Sequence, residues 1–553
     1  MPLSLEQRGA ALTRAERAIA ASRPDSAHGH LFIGPEGAQL LACNASQLFD
    51  IADQAASDWR SSDEPQRITL LSRWGVDPRP AIDDTAPEQP PLHALSLAVA
   101  QRCNLGCQYC YAQQGGFGAA PKAMSIEVAQ RSVDRLLSEA APLGKANLAF
   151  MGGEPLANRR VLHQTTRYAA ERAREQGIAL SLSVTSNGTL IREDDIALFA
   201  EHAFAVTISL DGDQADHDRL RPFANGQGSY ARIMQRIAPL LAAQGAMQVS
   251  ARVTVTPQNL PTPEGLDAML ALGFHSVGYS PMLHAPDGQM EMGSEDLQLM
   301  LGQMIACAEH AEQQLAQGRR YAFANLLNAL RELGRGTHRP YPCGAGAGYL
   351  GVDADGQLAA CHRFVGDSAA LLGDVEDGID RGKQATWLQQ RHVHTQSPCS
   401  SCWARYLCGG GCHHEVIARG RPACDYIRGW LLHCLGAWLR LSRTNRSFQL
   451  SGTPFPLSGA PFPLSPSPSP ARGEGSSGRD ANAALADGET CSSSPSALAS
   501  GGSARSNASV SFSVSPSPLA GEGLGRGGKT THQAQPSAHP PTSSNPSPKA
   551  KRC

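Results

Sequence analysis

The stretch LSLAVAQRCNLGCQYCYAQQGG, residues 95–116, joins a short apolar run to three closely spaced cysteines and a glycine-rich end. Leu95–Ala100 reads as a buried strand. Directly after it Cys103, Cys107 and Cys110 stand in a C-x3-C-x2-C spacing, with Tyr109 before the last thiol. Three thiolates on one short loop can each hold one iron of a cubane and leave the fourth iron open to a small molecule. Spacing alone also admits a zinc knuckle short of a ligand, or three thiols without metal. The loop follows the first strand of a βα series, where α/β folds place their chemistry.

Outward from this loop, residues 93–320 alternate strand and helix. Strands are expected at Leu95–Ala100, Ala146–Phe150, Ile178–Thr185, Phe204–Leu210, Gln248–Thr256 and Phe274–Ser280. A helix opening at Ser125 puts Ile126, Ala129, Val133, Leu136 and Leu137 on one face. Six such units imply parallel strands with crossover helices. A partial (β/α)6 barrel and an open doubly wound sheet both satisfy this periodicity. Residues 1–90 read as a small α+β unit. In it His30–Gly34 and Ala38–Cys43 form a hairpin about Pro35-Glu36-Gly37, and a helix runs through Leu48, Phe49, Ile51 and Ala52 from a cap at Asn44 or Ser46. From residue 446 the composition turns Ser/Pro/Gly-rich, with near-repeats such as SPSPARGEG and SPSPLAGEG. That sequence has too little apolar area to offset chain entropy and is expected to be disordered. The expected organisation is therefore 1–90, 91–325, 326–445 and 446–553.

The 553 residues carry 48 Lys+Arg against 50 Asp+Glu, a net charge of −2 that makes no case for nucleic acid or an anionic membrane as partner. No apolar run reaches the roughly 18 residues of a membrane span, and the charged N-terminus lacks a secretory core, so the expected location is the cytoplasm. In a reducing compartment, 15 clustered cysteines argue for metal or iron–sulfur ligation over disulfides. A second set, Cys343, Cys361, Cys399, Cys402, Cys408, Cys412, Cys424 and Cys434, fills 340–434. By itself it reads equally as a two-site zinc ribbon. Cys43 and Cys307 read as buried apolar residues. Cys491 and Cys553 fall in the tail.

Cys103, Cys107 and Cys110, with Tyr109 beside the last, resemble the radical S-adenosylmethionine signature. Met151-Gly152-Gly153-Glu154-Pro155 follows the second strand, Thr185-Ser186-Asn187-Gly188 the third, and Ser209-Leu210-Asp211-Gly212 the fourth. His217-Asp218-Arg219-Leu220-Arg221 comes next. The resemblance implies a partial barrel binding a [4Fe–4S] cluster and S-adenosylmethionine. Gly152, Gly153 and Glu154 would then lie at the cofactor's amino group, with Asn187 and Ser209 along it and Arg221 on its carboxylate. The region 340–434 resembles the SPASM extension, which houses two further [4Fe–4S] clusters, making three in all. By that pattern Cys399, Cys402, Cys408 and Cys424 hold the outer cluster, and Cys343, Cys361 and Cys412 the inner one. In anaerobic sulfatase maturases a further ligand stands six residues after the first cysteine of this region. Here that position is Tyr349, so either Cys434 completes the inner set or it stays open to a substrate thiolate. Those maturases also carry a carboxylate base after the second cysteine, where this chain has His362. His413, His414 and Glu415 read as surface residues or as support for the ligands, with metal ligation or proton shuttling as the alternative.

CHRFVGD at 361–367, LLGDVEDGI at 371–379, CWARYLCGGGCHHE at 402–415 and CDYIRGWLLHCL at 424–435 resemble the maturases of the quinohaemoprotein amine dehydrogenase γ subunit. That family links Cys sulfur to a methylene carbon of Asp or Glu within a small peptide. The resemblance implies a small Cys-containing peptide or protein as substrate, a low-potential electron donor protein, and hydrogen abstraction from an unactivated CH2. His362 and Asp211 are the candidate bases, Asp211 being equally readable as a turn former in Asp-Gly. The N-terminal hairpin is either a peptide dock or a cover for the barrel. Another radical peptide modification, carbon–carbon linkage or epimerisation, and a non-catalytic iron–sulfur or zinc protein are the alternatives.

Overall fold

The computed structural model describes residues 3–444 apart from 36, 81 and 83. The tail from 446, its repeats, Cys491, Cys553 and Glu36 of the expected turn lie outside the described residues. The chain opens with helix α1 (Leu5–Ala21), a three-stranded antiparallel sheet of β1 (Gly29–Gly34), β2 (Gly37–Ala42) and β3 (Gln47–Asp50), and helices α2 (Asp53–Ser61) and α3 (Glu64–Arg73). The hairpin stands where expected. The helix expected through Leu48–Ala52 is instead β3, paired to β2 with Leu41 opposite Leu48. A free edge on β2 offers Gln47–Asp50 a ladder of hydrogen bonds, which outweighs a weak local helical pattern. Helix α1 was not anticipated. Only Ala11 and Ala15 are buried on it, and they are small because the helix backbone approaches another closely.

The central sheet holds β4 (Ala94–Gln101), the short β5 (Lys122–Ala123), β6 (Lys145–Gly152), β7 (Ala179–Ser186), β8 (Ala205–Ser209), β9 (Gln248–Val255) and β10 (Val277–Pro281). Between them run α4 (Ile126–Ala140), α5 (Arg159–Glu175), α6 (Glu193–Glu201), α7 (Gln214–Leu220), α8 (Tyr230–Ala242) and α9 (Pro263–Ala271). All six expected strands are present and parallel, in the spatial order β4-β6-β7-β8-β9-β10. That order never reverses. Right-handed crossovers therefore put every helix on one face, which excludes the doubly wound alternative and leaves the partial (β/α)6 barrel.

The strands record this one-sidedness. Leu95, Leu97 and Val99 are fully buried toward the helices, as are Val206, Ile208, Val249 and Val253 on other strands. Between them stand small or polar residues such as Ser96, Thr207, Ser209 and Ser250. Parallel strands covered by helices on both faces would be apolar throughout.

Helices α10 (Ser294–Ala316) and α11 (Ala324–Gly334) follow, and α11 runs across the border expected at 325. The sheet then continues past β4 into β11 (Tyr349–Val352), which is parallel to it, and β12 (Gln357–Ala359), β13 (Leu371–Asp374) and β14 (Gly378–Ile379), which are antiparallel. Helices α12 (Arg381–Arg391), α13 (Arg405–Cys408), α14 (His413–Arg419) and α15 (Cys424–Thr444) complete the described chain. The Cys-rich region is thus tied to the barrel by main-chain pairing.

The N-terminal unit packs on the same region. His30 stacks on Trp403 at 4.4 Å, Trp403 Nε1 donates to Ser22 O at 2.8 Å, and Arg405 donates to Ala27 O and to Asn44 Oδ1. Gly302 on α10 admits α1: a Cβ there would lie 2.0 Å from Ala11 O. Among the described residues no helix is long and apolar enough to cross a membrane.

Candidate functional site

Cys103, Cys107 and Cys110 lie on the loop leaving the C-terminal end of β4. Cys103 Sγ accepts from Leu105 N–H at 3.4 Å and from Asn187 Nδ2 at 3.6 Å. Burial lifts the Cys103 thiol to about 11 and Cys107 to about 12, and the neighbouring thiols push both the same way. Ionising Cys103 and Cys107 is costly unless a cation sits beside them, so this donor set fits an iron cluster.

The MGGEP segment after β6 fastens the loop. A Cβ on Gly153 would lie 2.4 Å from Arg102 O and 2.7 Å from Gly115 Cα. Gly152 has φ +134°, and its Cβ would meet Ala100 O at 2.3 Å. Both glycines are required by the main chain of the cysteine loop. Glu154 is fully buried and accepts from Asn187 N–H at 2.7 Å, Ser186 Oγ at 2.9 Å and Leu156 N–H at 3.1 Å. Burial lifts its carboxyl to about 7 against these donors. Glu154 therefore ties the end of β7 to that of β6 and aims Asn187 at Cys103. Ser209 closes β8, half-buried and in register with Arg252 of β9.

A buried bridge joins the first cysteine loop to strand β8. Arg221 donates to the Tyr109 oxygen at 2.6 Å, and the Tyr109 hydroxyl donates to Asp211. Arg221 itself stands 3.8 Å from that carboxylate. Asp211 also accepts from Thr254 N–H at 2.9 Å, and burial raises its carboxyl despite the arginine. Arg221 Nε is buried without a partner, a donor suited to an anionic group of a bound cofactor. Both Asp211 oxygens are engaged within the protein, which makes it a positioning group for Tyr109 and Arg221.

The second thiol set separates into two groups. Cys399, Cys402, Cys408 and Cys424 line one pocket together with Arg421 and Arg428, and Cys412 borders the same pocket. Burial raises Cys399 to about 11, Cys408 to about 12 and Cys424 likewise upward, each pushed further by the other thiols. Cys361 is raised by burial, then by Cys412 and Cys343, which places these three together. Cys434 does not join them: it is buried on α15, where Glu312 and Arg440 are the charges that act on its thiol. Among the described residues, no three of the sulfurs lie within 4.8 Å of one another.

Beside the inner group, the Tyr349 hydroxyl sits 2.9 Å from Ser96 Oγ and 2.8 Å from His362 Nδ1. His362 is buried and pushed down to about 3 by burial, with the Arg363 charge adding to the effect. Arg363 donates to Glu415 at 2.6 Å and to Cys412 Sγ at 3.6 Å, and its guanidinium lies 5.1 Å from the Tyr111 ring centre. Tyr111 follows Cys110 directly, so one cation links the first cysteine loop to the inner group. His413 and Glu415 are buried, not on the surface. Their sequence signal was adjacency to Cys412; what separates support from surface is the fold of 361–363 against 412–415.

Residues 97–280 match the family model described as the Radical SAM superfamily. This chain is a radical S-adenosylmethionine enzyme. That family implies a [4Fe–4S] cluster and S-adenosylmethionine, and the first cysteine loop fits them. The enzyme is similar to a serine-type anaerobic sulfatase-maturating enzyme of Klebsiella aerogenes, 25% identical over 346 residues, covering 60% of this chain and 82% of that one. It is also similar to a cysteine-type anaerobic sulfatase-maturating enzyme of Clostridium novyi, 31% identical over 153 residues, covering 26% of this chain and 39% of that one. The solved structure of native anSMEcpe with bound AdoMet and Cp18Cys peptide superposes with a TM-score of 0.53 at 18% identity. It covers 64% of this chain and all of that one, a likeness of fold.

Proposed function

We propose that the enzyme is a peptide maturase that joins a Cys sulfur to a methylene carbon of Asp or Glu in a small peptide or protein. It would carry three [4Fe–4S] clusters and draw electrons from a low-potential donor protein. The observation that carries this reading is the inner group: three cysteines, with Tyr349 held by Ser96 and His362 at the position where sulfatase maturases have a further ligand. A three-thiol site beside an imidazole suits a substrate thiolate.

When bound, the clusters and S-adenosylmethionine supply a hydrogen-abstracting radical and a sink for the surplus electron. The chain's own residues do the rest. Gly152 and Gly153 seat the cysteine loop, Glu154 aims Asn187 at it, and Ser209 and Arg221 meet the cofactor. Asp211 holds Tyr109 and Arg221. His362 is neutral and accepts the substrate thiol's proton only against a negative partner, which the departing thiolate provides. The peptide loses S–H and C–H and gains S–C, two hydrogens lighter per link.

The likeness to the Klebsiella enzyme over most of that enzyme's length favours a second reading, oxidation of a Ser or Cys side chain in a peptide to an aldehyde. Tandem mass spectrometry of the product separates the two. A thioether resists thiol alkylation and reduction and is inert to hydrazides, whereas an aldehyde is captured by them. Reconstituted protein should hold about twelve irons; about four irons with two zinc ions would overturn the three-cluster assignment.

A further inference from the structure

The cavity face of the barrel carries a charge that the steps above leave unused. Residues in register on parallel strands point to the same face, and Ser209 of β8, Arg252 of β9 and Gly278 of β10 form one row. Strands of a sheet lie about 4.8 Å apart, so Arg252 begins one strand from the serine at the cofactor motif. On β9, Val249, Ala251, Val253 and Val255 are buried toward the helices, while Ser250, Arg252 and Thr254 alternate with them, only partly buried. The arginine therefore stands on the face that the Cys-rich region covers.

Its side chain is directed by the neighbouring strand. A Cβ on Gly278 would lie 3.2 Å from Arg252 Nη1, so the glycine lets the guanidinium cross β10, where Nη2 donates to Ser280 Oγ. From the Cys-rich side Tyr426, Arg363 and Glu415 act on it. Burial, with the like charge of Arg363 adding, brings it down to about 10. A planar guanidinium beside small hydroxyl side chains is matched by a carboxylate, which takes two of its N–H donors at once.

We propose that Arg252 binds the side-chain carboxylate of the Asp or Glu whose methylene is attacked, and so selects acidic acceptor residues. The inference rests on the thioether reading. The carboxylate is one or two bonds from the reacting carbon. Anchoring it in the Ser209 row brings that carbon to the cofactor end of the barrel while the peptide's thiol meets the inner group. Asn or Gln at the acceptor position, isosteric but neutral, would accept a weaker hydrogen bond from the guanidinium than a carboxylate does.

The test uses reconstituted enzyme with S-adenosylmethionine and two synthetic probes, acetyl-Gly-Cys-Gly-Gly-Glu-Gly-amide and its Gln counterpart, with Kd measured by calorimetry. Wild type should favour the Glu peptide about tenfold. In Arg252→Met that peptide should weaken about tenfold and the Gln peptide less than twofold; Arg252→Lys should recover part of the preference. Iron content and near-ultraviolet circular dichroism report whether each variant folds, and the lysine variant carries the test if the methionine one does not. Equal binding of both probes by wild type, no measurable binding of the Glu probe at millimolar concentration, or equal weakening of both in the variants would overturn the inference. Product mass spectrometry on wild type judges the thioether reading separately. A hydrazide-reactive product together with an Arg252-dependent Glu preference would remove that reading and keep the carboxylate site.

Discussion

Tyr109 illustrates how little a residue's neighbours in the chain say about its work. In the sequence it is an aromatic wedged between Gln108 and Cys110. In the fold its hydroxyl takes a hydrogen bond from Arg221 at 2.6 Å and gives one to Asp211. Tyr109→Phe would leave the buried Arg221 and Asp211 charges 3.8 Å apart without the bridging hydroxyl. The expected loss is about 1–3 kcal/mol of unfolding free energy, read from anaerobic urea titrations against wild type; an unchanged midpoint would show the bridge to be energetically idle. The same reasoning separates the legible site residues from the missed ones. The thiols were readable because a thiolate cluster needs several of one residue type at short spacing. Arg252 was not, although its strand QVSARVTV carries the signal. A lone arginine in a strand has its ordinary place on a solvent face, and only the register with Ser209 and Gly278 puts it in the cavity.

At the scale of elements, local rules held where an element satisfies its own ends. Helix α4 starts where its sequence says: Ser125 Oγ accepts from Val128 N–H at 3.2 Å, and Ala129, Val133, Leu136 and Leu137 are buried on one face. Ser125→Ala should cost about 1 kcal/mol, checked by the shift in thermal or denaturant midpoint. Local rules failed where an element depends on a partner. Segment 47–50 became a strand because β2 offered it an edge. Helix α1 is held at α10 by close backbone approach at Ala11 and Gly302, and its buried stripe is made of small residues, Ala11 and Ala15, that carry a weaker signal than Leu or Val.

For the whole molecule, buried imidazoles set the response to acid. His217, His362 and His413 are all held near 3, each chiefly by burial, against an ordinary value near 6.5. Between those values the unfolded chain binds more protons than the folded one, so stability is present above pH 6.5 and is lost as pH falls. Each group contributes about 1.4 kcal/mol per pH unit, about 4 for the three together. Unfolding titrations from about pH 7.5 to about pH 4.5 should show the slope develop below pH 6.5 and approach that value; a flat profile would mean these rings are solvated. The sequence by itself determined the six parallel strands with their crossover helices, the first cysteine loop and the presence of a second thiol-rich region, because periodicity and clustered ligands are local patterns. It left open whether the sheet was singly or doubly wound, how the eight later cysteines divide, and which charge lies in the cavity. Those were decided by tertiary structure, since strand order, thiol proximity and the face of a lone arginine are set by residues far apart in the chain. The sheet that carries β4 into β11 is what brings Ser96, Tyr349 and His362 within hydrogen-bonding distance, across some 250 residues of intervening sequence.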